Sequence, residues 1–134
     1  MDGELRTLFR KHLPMVAWST IETGGVEPGV PDFNGLYEGI EFWVEMKKTD
    51  AWAVEVKAAQ VGWHKLRQSK LGRTFFAVRR RNAGDDELYL IQGNLAGTLR
   101  DKGLRQCPYL IKTTGGPSSW AWAAVLDALI RRRE

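Results

Sequence analysis

The segment Ile40-Glu41-Phe42-Trp43-Val44-Glu45-Met46-Lys47 constrains the fold more than any other part of the chain. It is rich in β-branched and aromatic residues and reads as a strand. Side chains alternate along a strand, so Phe42, Val44 and Met46 fill one face while Glu45 and Lys47 project together from the other. Just upstream, Tyr37-Glu38-Gly39 supplies a turn, and the apolar stretch before it opens on Pro31-Asp32. Folding one strand back on the next brings Asp32 toward Glu45. Two neighbouring carboxylates repel unless a cation sits between them, and Mg2+ prefers such hard oxygen ligands.

The residues beyond that strand narrow the possibilities. A polar connection leads into a helical pattern from about Ala58 to Leu71, which contains Gln60, Trp63, His64 and Leu66 and is closed by Gly72. Thr74-Phe75-Phe76-Ala77-Val78 is then a second apolar strand. Pro31-Asp32 followed by Glu45-Met46-Lys47 resembles the PD-(D/E)xK nuclease superfamily. The Gln-x-x-Trp helix ending in Leu-Gly and leading to a strand is similar to its VRR-NUC branch. The resemblance covers roughly the first two-thirds of the chain, and its most specific part is the order Asp32, Glu45, Lys47, Gln60.

That resemblance implies an α/β fold with a restriction-endonuclease-like core, a central mixed sheet flanked by helices, in a single domain over residues 1–134. It implies a metal-dependent DNA endonuclease in which Asp32 and Glu45, with the backbone carbonyl of Met46, hold Mg2+ or Mn2+. The metal would polarise the scissile phosphate and acidify a water. Lys47 would stabilise the phosphorane charge or orient the water. Gln60 matches a family position that orients water or phosphate; a helical glutamine is ordinarily a solvated face, so its role rests on the resemblance. Related nucleases often add an acid from the first helix, for which Glu4 is the best candidate and Glu22 a weaker one. An acid at a helix N-terminus is equally well explained by the helix dipole. His64 comes one turn after Gln60, and a lone histidine is more often structural than catalytic.

Charge points to nucleic acid. The net charge is +4, and the basic residues cluster. Arg79-Arg80-Arg81 ends a strand and Arg67 continues the Gln60 face, so these four are the expected DNA contacts. Arg131-Arg132-Arg133 is better read as complementing a helix dipole or aiding solubility. The glycine-rich loop Thr23 to Val30, beside Asp32, would let a DNA backbone approach closely. Stand-alone VRR-NUC proteins of this length look like homodimeric Holliday-junction resolvases, so branched DNA is the expected substrate and a second copy the expected partner. A restriction or nicking enzyme on linear duplex is the enzyme alternative. A DNA-binding or assembly module that retains the fold is the non-catalytic one.

With 134 residues, 43% of them hydrophobic, the chain can bury a core within one domain. No apolar run suits a membrane span, and the start lacks the order of a secretion signal. The single cysteine, Cys107, rules out an internal disulfide framework and suits a reducing cytoplasm, such as that of a bacterium or phage-infected host. Elsewhere the pattern predicts a helix over Glu4 to His12, ended by Pro14, and strands over Met15 to Glu22, Asp32 to Tyr37, Ile40 to Thr49, Thr74 to Arg80 and Glu87 to Gln92. Asn82-Ala83-Gly84-Asp85-Asp86 is the connecting turn of the last hairpin. A short helix is expected over Asn94 to Lys102, and Ser118 or Ser119 caps a final helix with an apolar stripe of Trp122, Val125, Leu126, Leu129 and Ile130. That stripe serves either a dimer seam or the chain's own sheet, with equal weight.

Overall fold

The computed structural model describes residues 3–22 and 28–131. The Thr23-Gly24-Gly25 part of the predicted loop lies outside them, as do Arg132 and Arg133. The chain begins with helix α1 (Gly3–His12), then strands β1 (Ala17–Thr20), β2 (Phe33–Tyr37) and β3 (Ile40–Thr49). Helix α2 (Ala58–Ser69) leads to β4 (Thr74–Asn82) and β5 (Asp85–Gln92). A short 3-10 turn at Gly93–Leu95 passes into α3 (Ala96–Lys102), followed by β6 (Ile111–Thr113) and α4 (Trp122–Ile130). The strands form one six-stranded sheet in sequence order. Among the described residues its only parallel pair is β3 with β4, joined by the α2 crossover, and the other neighbouring pairs are antiparallel.

Each face of this sheet has its own apolar layer. On one, α1 and α4 deliver Leu5, Phe9, Val125 and Leu129 onto Phe42, Val44, Met46, Phe75 and Ala77. On the other, Val54, Val56, Ala96 and Leu99 cover Phe76, Val78, Tyr89 and Ile91. Thr74 to Arg80 is therefore buried throughout, which is why β4 reads as an unbroken apolar run and not as an alternating one. The α4 stripe divides: Val125 and Leu129 are fully buried in the chain's own core and contribute about 2 kcal/mol each by area removed from water. Trp122 packs edge-on against Phe9 and stacks on His12.

The Glu38-Gly39 turn forms as expected, with φ of 49° and 82°, and pairs Tyr37 with Ile40. A second two-residue turn, Ala83-Gly84, has φ of 52° and 89° and extends β4 and β5 well into the predicted five-residue connection. Helix α2 stops at Ser69 in a Schellman arrangement, where Gly72 N–H donates to the Arg67 carbonyl and Leu71 N–H to that of Gln68. Leu71, not Gly72, takes the left-handed conformation, at φ 67°. Gly72 is needed for a different reason, since a Cβ there would lie 2.6 Å from Arg67 Cγ. Strand β6 is not legible in the residue pattern. Neither Ser118 nor Ser119 caps α4: the helix starts at Trp122, and Ala121 N–H donates to Thr113 Oγ1. Among the described residues, no helix is long and apolar enough to cross a membrane.

Candidate metal centre

The end of β2 and the second half of β3 create the site. Pairing between them stops at Phe33 opposite Val44, so Asp32 falls just past the ladder, alongside Glu45 and Met46. There Asp32 Oδ1 accepts the Met46 N–H at 3.2 Å. A strand residue's N–H and C=O point to the same side, so the Met46 carbonyl faces the same gap. Glu45 and Lys47 share a face with Phe76 and Val78, opposite them on β4, which is the face that α2 crosses.

Gln60, in the first turn of α2, ties these groups together. Its Oε1 accepts from Lys47 Nζ and from the Lys57 N–H, each at 3.0 Å. Its Nε2 donates to Glu45 Oε2 at 3.2 Å. Two donors on the oxygen and a carboxylate on the nitrogen leave only one orientation of the amide that satisfies all three contacts. Gly29, in the left-handed region at φ 89°, seats the loop before Asp32 against the same helix turn; a Cβ there would lie 2.2 Å from the Ala59 carbonyl oxygen. The result is a cleft of about 370 Å³ lined by Asp32, Glu45, Met46, Lys47, Gln60 and three residues the sequence did not single out, Lys48, Glu55 and Lys57.

The buried Glu45 carboxylate is poorly supported as a charge. Glu45 is 8% exposed, and burial, then the Asp32 charge, push its pKa up from 4.5 to about 7 against the pull of Lys47. Burial also lowers the Lys47 pKa, while Glu45 opposes that shift. Asp32 and Glu45 are the hard-oxygen donors that a divalent cation would use, and a cation between them removes their mutual repulsion.

Several predicted residues lie elsewhere. Glu4 is on the α1 face and pairs with Arg79 at 3.1 Å and Arg81 at 3.9 Å, so it does not join the carboxylates. Glu22 is exposed beyond β1 and does not line the cleft. The basic triplet is not a phosphate surface as a whole. Arg79 is 4% exposed and held by both oxygens of Asp86 at 2.9 and 2.8 Å. Arg80 is 7% exposed, bonded to Glu87 at 3.1 Å and stacked 3.8 Å over Trp52. Burial and ion pairing make both structural; Arg81 alone is exposed. Arg67 is exposed on α2, with its guanidinium over the rings of Trp63 and Trp43. His64 is wholly buried against Phe76, with its pKa lowered to about 3 by burial and by Lys47, so it is a neutral core residue.

No protein-family model matches the chain, and no curated protein matches it at the level of sequence. A solved structure does resemble it, that of Archaeoglobus fulgidus Hjc, a Holliday junction resolvase from an archaeal hyperthermophile. The likeness has a TM-score of 0.52 at 13% identity and covers 87% of this chain and 88% of that one. The six-stranded mixed sheet with its four helices is thus the restriction-endonuclease-like fold of that resolvase.

Proposed function

We propose that the protein is a metal-dependent endonuclease that hydrolyses phosphodiester bonds in branched DNA, of the VRR-NUC type. The observation that carries this reading is the convergence of Asp32, Glu45, Lys47 and Gln60 on one cleft of a resolvase-like fold. Asp32, Glu45 and the Met46 carbonyl would hold one Mg2+ or Mn2+, and the buried, proton-hungry Glu45 fits that role because the ion supplies the missing positive charge. When bound, the ion polarises the phosphate and lowers the pKa of a water. Lys47, fixed by Gln60, would offer its ammonium to the phosphorane oxygens on which negative charge develops. Gln60 is a positioning residue: it aims Lys47 and Glu45 at the same volume.

Paired incision of a junction needs two such sites, and among the described residues one chain supplies one carboxylate pair, so the active form is a homodimer acting on DNA in the cytoplasm of a bacterial or phage-infected cell. Purified protein with labelled four-way junctions, flaps and linear duplex tests this, with Mg2+ or Mn2+ present and light scattering on the same samples. Asp32→Asn should abolish cleavage while junction binding and folding persist. Cleavage retained by Asp32→Asn, or no preference for branched DNA, would refute the corresponding part of the proposal.

A further inference from the structure

We infer that Arg6 takes the place of a second cation in this site, so that the centre holds a single divalent ion. The inference rests on Asp32 and Glu45 being metal ligands, as proposed for the nuclease function. The helix acid expected to enlarge the donor set, Glu4, is committed to Arg79 and Arg81. Two residues further along α1, Arg6 comes to the site instead, and its Nη1 donates to Asp32 Oδ2 at 2.8 Å. The two side chains are 12% and 13% exposed, a setting in which a charge-assisted hydrogen bond is strong and solvent screens it little.

That contact changes what Asp32 can do. A pair of metal ions about 3.5–4 Å apart acts as a clamp on both reacting oxygens, and such a pair needs carboxylate oxygens facing each ion. Here Oδ1 already accepts the Met46 N–H and Oδ2 the guanidinium. Each oxygen retains a lone pair for one shared ion, but the Oδ2 side is occupied by a fixed positive charge. Asp32, Glu45 and Glu55 line the cleft together with Lys47, Lys48 and Lys57. A single divalent ion between Asp32 and Glu45 relieves their repulsion, whereas a second one on the Oδ2 side of Asp32 would meet the Arg6 guanidinium. Among the described residues, no group of three or more His, Cys, Asp or Glu side chains gathers as a metal site, here or elsewhere, so the donors available are the two carboxylates and the Met46 carbonyl. Arg6 is therefore a positioning residue: it holds Asp32 for the ion and closes the neighbouring position.

Manganese binding to the DNA-free protein tests this without reference to activity, by calorimetry for stoichiometry and by electron paramagnetic resonance for coupling between ions. Wild type should bind one ion per chain with no Mn–Mn coupling. Arg6→Glu should bind a second ion, spin-coupled to the first. Arg6→Gln, which keeps a hydrogen-bond donor but loses the charge, should bind its single ion about tenfold more tightly, because the like charge on Asp32 Oδ2 is gone. Two ions in wild type, a single ion in Arg6→Glu, or weaker binding by Arg6→Gln would each overturn the inference. Failure of wild type to bind any ion, or binding unchanged by Asp32→Asn, would instead remove the metal-site reading and the inference with it.

Discussion

Replacing Glu45 by glutamine should make the metal-free protein more stable at neutral pH, even though it removes a residue of the proposed centre. The Glu45 pKa rises from 4.5 to about 7 on folding, chiefly through burial and then through Asp32, with the Lys47 attraction already counted against it. A folded value above the unfolded one means that the native state holds the extra proton. Below about pH 4.5 the carboxyl is protonated in both states and costs nothing. Between there and about pH 7 the unfolded chain ionises while the native state keeps its proton, so stability falls as pH rises, and above that window both states are ionised and the loss is complete. At about 1.4 kcal/mol per pH unit the full loss is about 3 kcal/mol. Glutamine has nearly the same volume, and its carbonyl can still accept from Gln60 Nε2. Urea denaturation in chelator from pH 4.5 to 8 should therefore show wild type losing stability across the window relative to Glu45→Gln, with the gap largest at pH 8. Adding Mg2+ at pH 8 should close the gap by stabilising wild type alone. Stability curves that run parallel through the window would contradict this account, since the two proteins would then bind equal numbers of protons on folding.

The arginine triplet should split by substitution. Arg79→Ala removes a buried guanidinium and its two bonds to Asp86, and should cost about 3 kcal/mol in denaturant unfolding. Arg81→Ala, at an exposed position, should leave stability within about 0.5 kcal/mol of wild type and lower the slope of log K against log salt for junction binding by about one. Gly29→Ala places a Cβ 2.2 Å from the Ala59 carbonyl oxygen in a left-handed backbone, and should lower stability by about 2 kcal/mol, read from the denaturation midpoint.

The strand carrying Glu45 is legible in the sequence because its alternation leaves a single choice of inward face, and the Glu38-Gly39 turn because only a few residue types tolerate its two positive φ values. Gln60 is legible as a candidate through the family resemblance, but its bonding to Lys47 and Glu45 depends on how α2 lies across the sheet. The arginine triplet misleads for a traceable reason. Taking Asn82 to Asp86 as a long connection hides the cross-strand neighbours; a two-residue turn at Ala83-Gly84 sets Arg81 opposite Asp86 and Arg80 opposite Glu87, which are opposite-charge pairs. Arg6 carries no local signal. An arginine on an amphipathic helix is ordinarily solvated, and only the packing of α1 beside the end of β2 brings it to Asp32.

The Gln60 amide gives the site a thermal property distinct from that of the molecule around it. The opening turn of a helix frays at a fraction of the free energy needed to unfold a domain. Here that turn contributes the amide that receives both the Lys57 N–H and the Lys47 ammonium. Each excursion of the turn therefore releases the lysine and the carboxylate together, while the doubly covered strands behind them stay closed. Amide exchange at Gln60 and Val61, whose N–H groups donate to the Lys57 carbonyl, would report how long the centre stays assembled. Warming would thus disarm the site well before it melts the sheet.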